Sequence, residues 1–570
     1  MTDLKFSRIP YERPDVEAVK EYISMASERF VAATSFAEAD SVFCEMQALT
    51  NQVETMFTVA HIRHDIDTAD KFYDDEMAFI DEVSPQLEEY LQKWKLAVLN
   101  TKFRSEFSEK YCSLMFTNTE IQLKTFSPEI IPELQRENAL TTEYSKLLAS
   151  AQIPFEGETY TLSQLGPKKL DPDDALRRKA WQAEAEWFSQ NGERLDSLYD
   201  ELTHLRDAMG KKLGYDGYTT LGYYRMTRNC YTKEDVEKFR AAVVKYIVPL
   251  ADKVFRRQAE RLGKEYPMGY PDNALAFRSG NPKPCGEPND ILDAGKRFYH
   301  ELSKETADFI DFMYENELLD VISRKGKAGG GYCTSLSQYQ APFIFANFNG
   351  TAGDVEVITH EAGHAFAIFT GRRVIPSECQ WPTMEACEVH SMSMEFFAWP
   401  WAESFFGDDA RKFRYTHLSD ALTFIPYGTM VDHFQHLVYE KPDMSPAERH
   451  AEWKRLTGIY LPWMKLESDL PFYGDGRAWQ RQRHIYESPF YYIDYCLAQT
   501  VALQFWAEMQ KDHGAAWEKY MAYTRPAGTK TFTDLIAGAD LASPFGDEAL
   551  RTVCDVASKW LEEYDLNGLK

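Results

Sequence analysis

Residues 359–369 read Thr-His-Glu-Ala-Gly-His-Ala-Phe-Ala-Ile-Phe. His360 and His364 stand four apart with Glu361 beside the first, and Val355, Ile358, Ala362, Ala365, Phe366 and Ile368 make the stretch strongly apolar. Apolar residues at this spacing predict a buried helix. On a helix, positions i and i+4 stack on one face, so both imidazoles can meet at one point while Glu361 addresses a neighbouring one. Buried imidazoles need partners, and a divalent metal satisfies two at once. The expectation is a helix-borne site for one zinc ion, with Glu361 as general base toward a water on the metal.

A hydrolytic zinc site needs a third protein ligand and one open position. Met384 to Trp399 follows Pro382 and stops at Pro400, which predicts a second helix. Its polar stripe is Glu385, Glu388, Ser391 and Glu395, set among Val389, Met392, Met394, Phe396 and Phe397. Acids on an otherwise apolar helix are costly to bury without a cation or donors. Glu388 is the expected third ligand. Glu385 is the rival, although an acid in a first helical turn is also explained by the helix dipole. Ser391 and Glu395 fall where they would orient the imidazoles through the nitrogens left over from the metal.

The pairing of His360-Glu361-Ala362-Gly363-His364 with Glu388-Val389-His390-Ser391-Met392-Ser393-Met394-Glu395 resembles the thimet oligopeptidase and oligoendopeptidase F family of metallopeptidases. That family carries His-Glu-x-Gly-His, a third ligand about two dozen residues on, and a further glutamate seven residues later, so Gly363 and Glu395 both match. Gly329–Cys333 and Ala341–Asn347 are similar to its glycine-rich turn and the strand before its zinc helix, and Leu205–Tyr218 to one of its helix-turn segments. His484-Ile-Tyr486-Glu-Ser-Pro-Phe-Tyr491-Tyr492-Ile-Asp-Tyr495 resembles its histidine and tyrosine-rich segment, with Pro489 where some relatives carry a tyrosine.

The resemblance implies that His484 and Tyr495 act in catalysis and that Tyr486, Tyr491 and Tyr492 bind substrate. Phenol and imidazole donors suit that role, because peptide hydrolysis builds negative charge on the carbonyl oxygen; aromatic core packing is the plain alternative for any one tyrosine. From Ala328 to Gly353 no residue is charged, yet Gly, Ser, Gln and Asn rule out a membrane span. An extended edge there, with Ala341 and Phe343, would pair with substrate backbone as an added strand; a buried hairpin without ligand is the other reading.

With 570 residues, 44% hydrophobic, the chain is long enough for substantial cores. A net charge of −26 argues against nucleic acid or an anionic membrane as partner. Nine scattered cysteines favour a reducing compartment, and the start lacks an apolar leader, so a cytoplasmic protein is expected. His61 with His64 and His433 with His436 lack a completing acid or thiol and read as surface or packing residues. Oligomeric state leaves no trace in the sequence.

Val16 to Ala32, Asp75 to Leu99 and Ala175 to Met209 show helical periodicity, and Tyr266 to Asp290, with five prolines and three glycines, marks a loop. The expected fold is mainly α with a small β-sheet beside the zinc helix. We divide it into an N-terminal helical lobe over 1–200 and a catalytic lobe over 201–570, which the resemblance implies enclose a deep channel. The expected function is a zinc-dependent endopeptidase of short, unstructured peptides. A zinc exopeptidase with the same ligands and a non-catalytic zinc-retaining scaffold are the alternatives.

Overall fold

Helices dominate because apolar residues recur at three and four spacing through most of the chain, and each such stripe must be buried against another. The computed structural model describes residues 4–348 and 350–569. Two compact units emerge, each drawn from three pieces of chain: Met1–Leu123, Lys283–Ala410 and Glu508–Leu541 in the first, Lys124–Pro282, Arg411–Ala507 and Ala542–Lys570 in the second. One crossing point, between Pro282 and Lys283, lies in the expected Pro/Gly-rich loop. Residue 200 falls inside the helix Gly192–Lys212, so the chain has no break there, and both units draw on both sides of it.

In the first unit, helices α1 (Val16–Ala32), α2 (Phe36–Ile66) and α3 (Lys71–Leu99) pack around Phe30, Phe43, Trp94 and Phe107. Asp15, Ser35 and Asp70 cap their N-termini by accepting backbone N–H bonds that the helices leave unmade. A three-stranded sheet of β1 (Leu319–Ile322), β2 (Tyr332–Leu336) and β3 (Ala341–Phe348) has the order β1-β3-β2. β1 is parallel to β3, and β2 is antiparallel, with Cys333 opposite Ile344 and Thr334 opposite Phe343. Helix α2 braces β2: Tyr332 donates to Asp65 at 2.9 Å, and just past the strand the Gln338 amide donates to Thr55 at 3.0 Å. Helix α4 (Ala352–Gly371) lies against the sheet and α5 (Met384–Phe397) lies against α4.

The second unit is built on a core of Tyr199, Trp453, Trp479 and Tyr486. It holds α6 (Ala410–Glu440), the short α7 (Arg483–Glu487) and α8 (Tyr492–Met509). The expected helix over 175–209 is two helices, Asp174–Gln190 and Gly192–Lys212, broken at Asn191. There the Asn191 side chain donates to the Trp187 carbonyl at 2.8 Å, the local competition that makes asparagine a helix terminator.

Candidate functional site

Helix α4 presents His360 and His364 on one face, with ring centroids 5.0 Å apart. What brings α5 to them is Gly363. A Cβ at that position would sit 2.8 Å from Ser391 Cα and 2.9 Å from the His390 carbonyl oxygen, both backbone atoms with no room to yield. Only glycine lets the two helices approach this closely. The approach sets Glu388 Oε2 3.4 Å from His360 Nε2 and 3.4 Å from His364 Nε2. Among the described residues, His360, His364 and Glu388 are the one group whose donor atoms lie close enough together, within 4.8 Å, to hold a metal ion.

Around this trio the remaining polar stripe of α5 is divided. Glu395 Oε1 lies 2.7 Å from His360 Nδ1, so that ring donates there and turns the Nε2 lone pair toward Glu388 and His364. Ser391 does not reach an imidazole: its hydroxyl lies 3.1 Å from Glu388 Oε2, orienting the carboxylate instead. Glu385 is fully buried and accepts from Thr383 at 2.8 Å, and it is not one of the three residues whose donor atoms come together. Burial penalises the His360 cation, yet Glu388 and Glu395 override it and hold its pKa well above the usual imidazole value. Burial would raise the Glu388 carboxyl, but His364 and His360 hold it well below the usual range. The pull between these groups is the electrostatic demand that a bound cation meets. Trp381, the residue before Pro382, covers His364 at 5.8 Å.

Burial, and then the Glu361 charge, raise the Cys333 thiol on β2 well above its ordinary value. The strand expected to offer an open edge is a different one. β3 is the central strand, paired on both sides, and its Ala341 and Phe343 are buried, so neither can meet a substrate strand. Eight uninterrupted uncharged residues mark a fully covered strand rather than an edge. The edge beside α4 is β2, hydrogen-bonded to β3 alone.

In the second unit His484 on α7 gathers three tyrosines: Tyr491, Tyr492 and Tyr495 rings lie 5.7, 4.9 and 5.7 Å away. All four are half-buried. Tyr486 is elsewhere: it is fully buried, stacked on Tyr144 at 3.9 Å, and donates to the Leu195 carbonyl at 3.2 Å. Two residues along a helix from His484 the side chain leaves on another face, and here that face is core.

Residues not singled out in the sequence hold the turn between α7 and α8. Phe490 has φ +67°, a left-handed conformation rare outside glycine. Gln435 accepts from its amide at 3.2 Å, and Arg228 donates to its carbonyl and, at 3.0 Å, to Asp494. Gly222 leaves room for the Phe490 ring, which a Cβ there would meet at 2.6 Å. His436 packs on the same ring at 4.7 Å and bonds Tyr223 at 3.0 Å, while His433 bonds Tyr460 at 3.0 Å; both are packing residues. His61 and His64 pair with Asp65. A left-handed phenylalanine has no sequence signature, which is why this cage was not foreseen.

Residues 295–552 match the profile of peptidase family M3, and residues 6–126 that of the peptidase M3 N-terminal domain. Oligopeptidase PepF of Bacillus subtilis (strain 168) is 22% identical over 582 residues, covering 92% of this chain and 81% of its own. An X-ray structure described as oligoendopeptidase F shares 46% identity, covers 99% of each chain and superposes with a TM-score of 0.94. A structure of PZ peptidase A with an inhibitor shares 45%, covers 98% of this chain and 100% of its own, also with a TM-score of 0.94. Among the described residues no helix is long and apolar enough to cross a membrane.

Proposed function

As a member of peptidase family M3 the chain is a metallopeptidase of oligopeptides, and we propose that it is a zinc-dependent endopeptidase cutting internal bonds of short, unstructured peptides. The observation that carries this reading is the trio of His360, His364 and Glu388 donor atoms within 4.8 Å of one another. Three donor atoms turned on one point offer a cation a ready-made set of ligands, and two imidazoles with one carboxylate suit zinc. Zinc held there supplies a Lewis acid that acidifies a water and polarises the peptide carbonyl.

The chain's own residues then divide the work. Glu361 takes the proton of the attacking water and returns it to the departing amine. Glu395 fixes His360 by its Nδ1, and Ser391 fixes Glu388. His484 and Tyr495 donate hydrogen bonds to the carbonyl oxygen as it gains negative charge, and Tyr491 and Tyr492 bind the peptide. The open edge of β2, on the side of α4 that carries Glu361, accepts peptide backbone as an added strand, so sequence matters little and chain extension matters most. A cytoplasmic place of work belongs to this reading, supported by nine cysteines that all remain thiols.

Quenched-fluorescent peptides of graded length, blocked at both ends, test it. Internal cleavage of peptides of roughly five to twenty residues is expected, abolished by a chelator and restored by zinc. Strict dependence on a free terminus, or efficient digestion of unfolded chains of casein size, would refute it.

A further inference from the structure

Gln482 stands at the N-cap of α7, two residues before His484, and its amide is engaged at both ends. The Tyr427 hydroxyl of α6 lies 2.9 Å from Gln482 Oε1, and Gln482 Nε2 lies 2.9 Å from His484 Nδ1. A carbonyl oxygen only accepts and an amide NH2 only donates. Tyr427 therefore donates to Gln482, and Gln482 donates to His484 Nδ1. An Nδ1 that accepts carries no proton, so the neutral ring bears its hydrogen on Nε2. Burial, partly offset by the Arg481 charge, pushes the Tyr427 phenol up to about 12, so the hydroxyl stays protonated wherever a peptidase works.

We propose that Tyr427 and Gln482 are positioning residues that hold His484 as the neutral Nε2–H imidazole, a hydrogen-bond donor to the peptide and never a base. This rests on the reading of His484 as a substrate donor. Forming the imidazolium would set a new Nδ1–H against the Gln482 NH2, so the relay resists protonation of the ring. The titratable groups around it include the Tyr491 phenol just before α8, the Tyr492 and Tyr495 phenols on α8 and, on α7 itself, Arg483 and Glu487, which pair with each other at 3.5 Å. Gln482 Nε2 occupies the Nδ1 side of the ring.

The zinc-loaded, full-length enzyme tests the relay. Gln482→Met keeps the shape and removes both hydrogen bonds; turnover should fall about tenfold with KM nearly unchanged, the worth of one hydrogen bond felt in the transition state. In a His484→Ala background the same substitution should cost nothing further, because its effect runs through His484. Gln482→Glu is the sharper arm. A carboxylate accepts from Nδ1–H, so the ring stays a cation to higher pH and then loses its Nε2 proton rather than its Nδ1 proton. Turnover should acquire an alkaline limb at the raised imidazole pKa, absent from wild type and from Gln482→Met. Tyr427→Phe, which leaves the amide in place, should cost about threefold, and nitrogen-15 spectra of labelled histidine should show the lost tautomer preference even if Gln482→Met folds poorly. A Gln482→Glu enzyme without the new limb, or equal losses from Gln482→Met with and without His484, overturns the relay. Near-normal turnover of His484→Ala would remove the reading beneath it as well, whereas an impaired His484→Ala beside an unaffected Gln482→Met removes the relay alone.

Discussion

The largely buried trio of candidate metal ligands and the half-buried histidine–tyrosine cluster are both polar sites, yet they are held by opposite means. His360, His364 and Glu388 come from two helices whose approach is set by a missing side chain at Gly363, and a cation held among them would balance the buried carboxylate. His484 and the tyrosines come from two helices joined by a strained turn, and that turn is pinned by a permanent buried charge pair: Arg228 and Asp494 side chains are 1% and 0% exposed at 3.0 Å. One site is neutralised from outside, the other from within. Loss of a ligand should therefore empty the first site and leave it standing, whereas loss of the pin should dismantle the second.

The largest expected effects fall on the first site. Glu361→Gln should keep stoichiometric zinc by elemental analysis and lose turnover by about a hundredfold to ten-thousandfold, since a proton-transfer group goes and no ligand does. His360→Ala, His364→Ala and Glu388→Ala should instead lose the metal. Zinc retained by Glu388→Ala and lost by Glu385→Ala would reassign the third ligand, and an active Glu361→Gln enzyme would end the proposed mechanism.

Next in size is the chemistry of the second site. Tyr495→Phe and His484→Ala should each lower turnover by about a hundredfold with KM changed far less and zinc intact, the usual worth of an oxyanion donor. Normal turnover in both would return the cluster to a packing role.

The contrast in how the sites are held is tested by stability. Arg228→Met leaves the buried Asp494 without its cation and should cost about 3–5 kcal/mol in urea denaturation, along with turnover, while zinc remains bound. Gly363→Ala should cost about 1–3 kcal/mol through overpacking and weaken zinc binding, because the added methyl drives α5 from α4. If Arg228→Met released zinc, or Gly363→Ala left zinc affinity unchanged, the two regions would not be organised as described.

The smallest effect is in pH. Burial, then the nearby His364, lowers His390 from 6.5 to about 3, and burial, then Arg240, lowers His433 to about 4. A histidine with a depressed folded pKa refuses a proton that the unfolded chain accepts, so its contribution is complete above 6.5 and erodes as pH falls toward the folded value. For the fully buried His390 the slope is at most about 1.4 kcal/mol per pH unit. Urea midpoints at pH 7 and pH 5, taken in chelator, should converge in His390→Gln for the first unit and more weakly in His433→Gln for the second. Unchanged slopes in both would show that neither histidine is held neutral.

Helix content, the metal helix, the choice of α5 and the family likeness were legible because each is written in short-range spacing: four residues between His360 and His364, a polar stripe on an apolar helix, a proline at either end. Sequence spacing also assembled His484 with Tyr491, Tyr492 and Tyr495 as candidates. It did not sort them from Tyr486, which differs only in the face it turns to Tyr144. Nor did it tell β3 from β2, because strand order depends on pairings between segments whose sequences carry no mutual address.

Local spacing, then, determined which residues are able to share a metal, since the helix repeat alone brings i and i+4 together. Tertiary structure decided what holds them and what surrounds them. Ser391 serves Glu388 rather than a ring, Gln482 reaches His484 only with Tyr427 across from it, and Arg228 pins a turn 262 residues away. The Tyr427 and Arg228 contacts join segments 55 and 262 residues apart, and the energy of all of these contacts comes from burial and charge that no residue carries until the chain has folded.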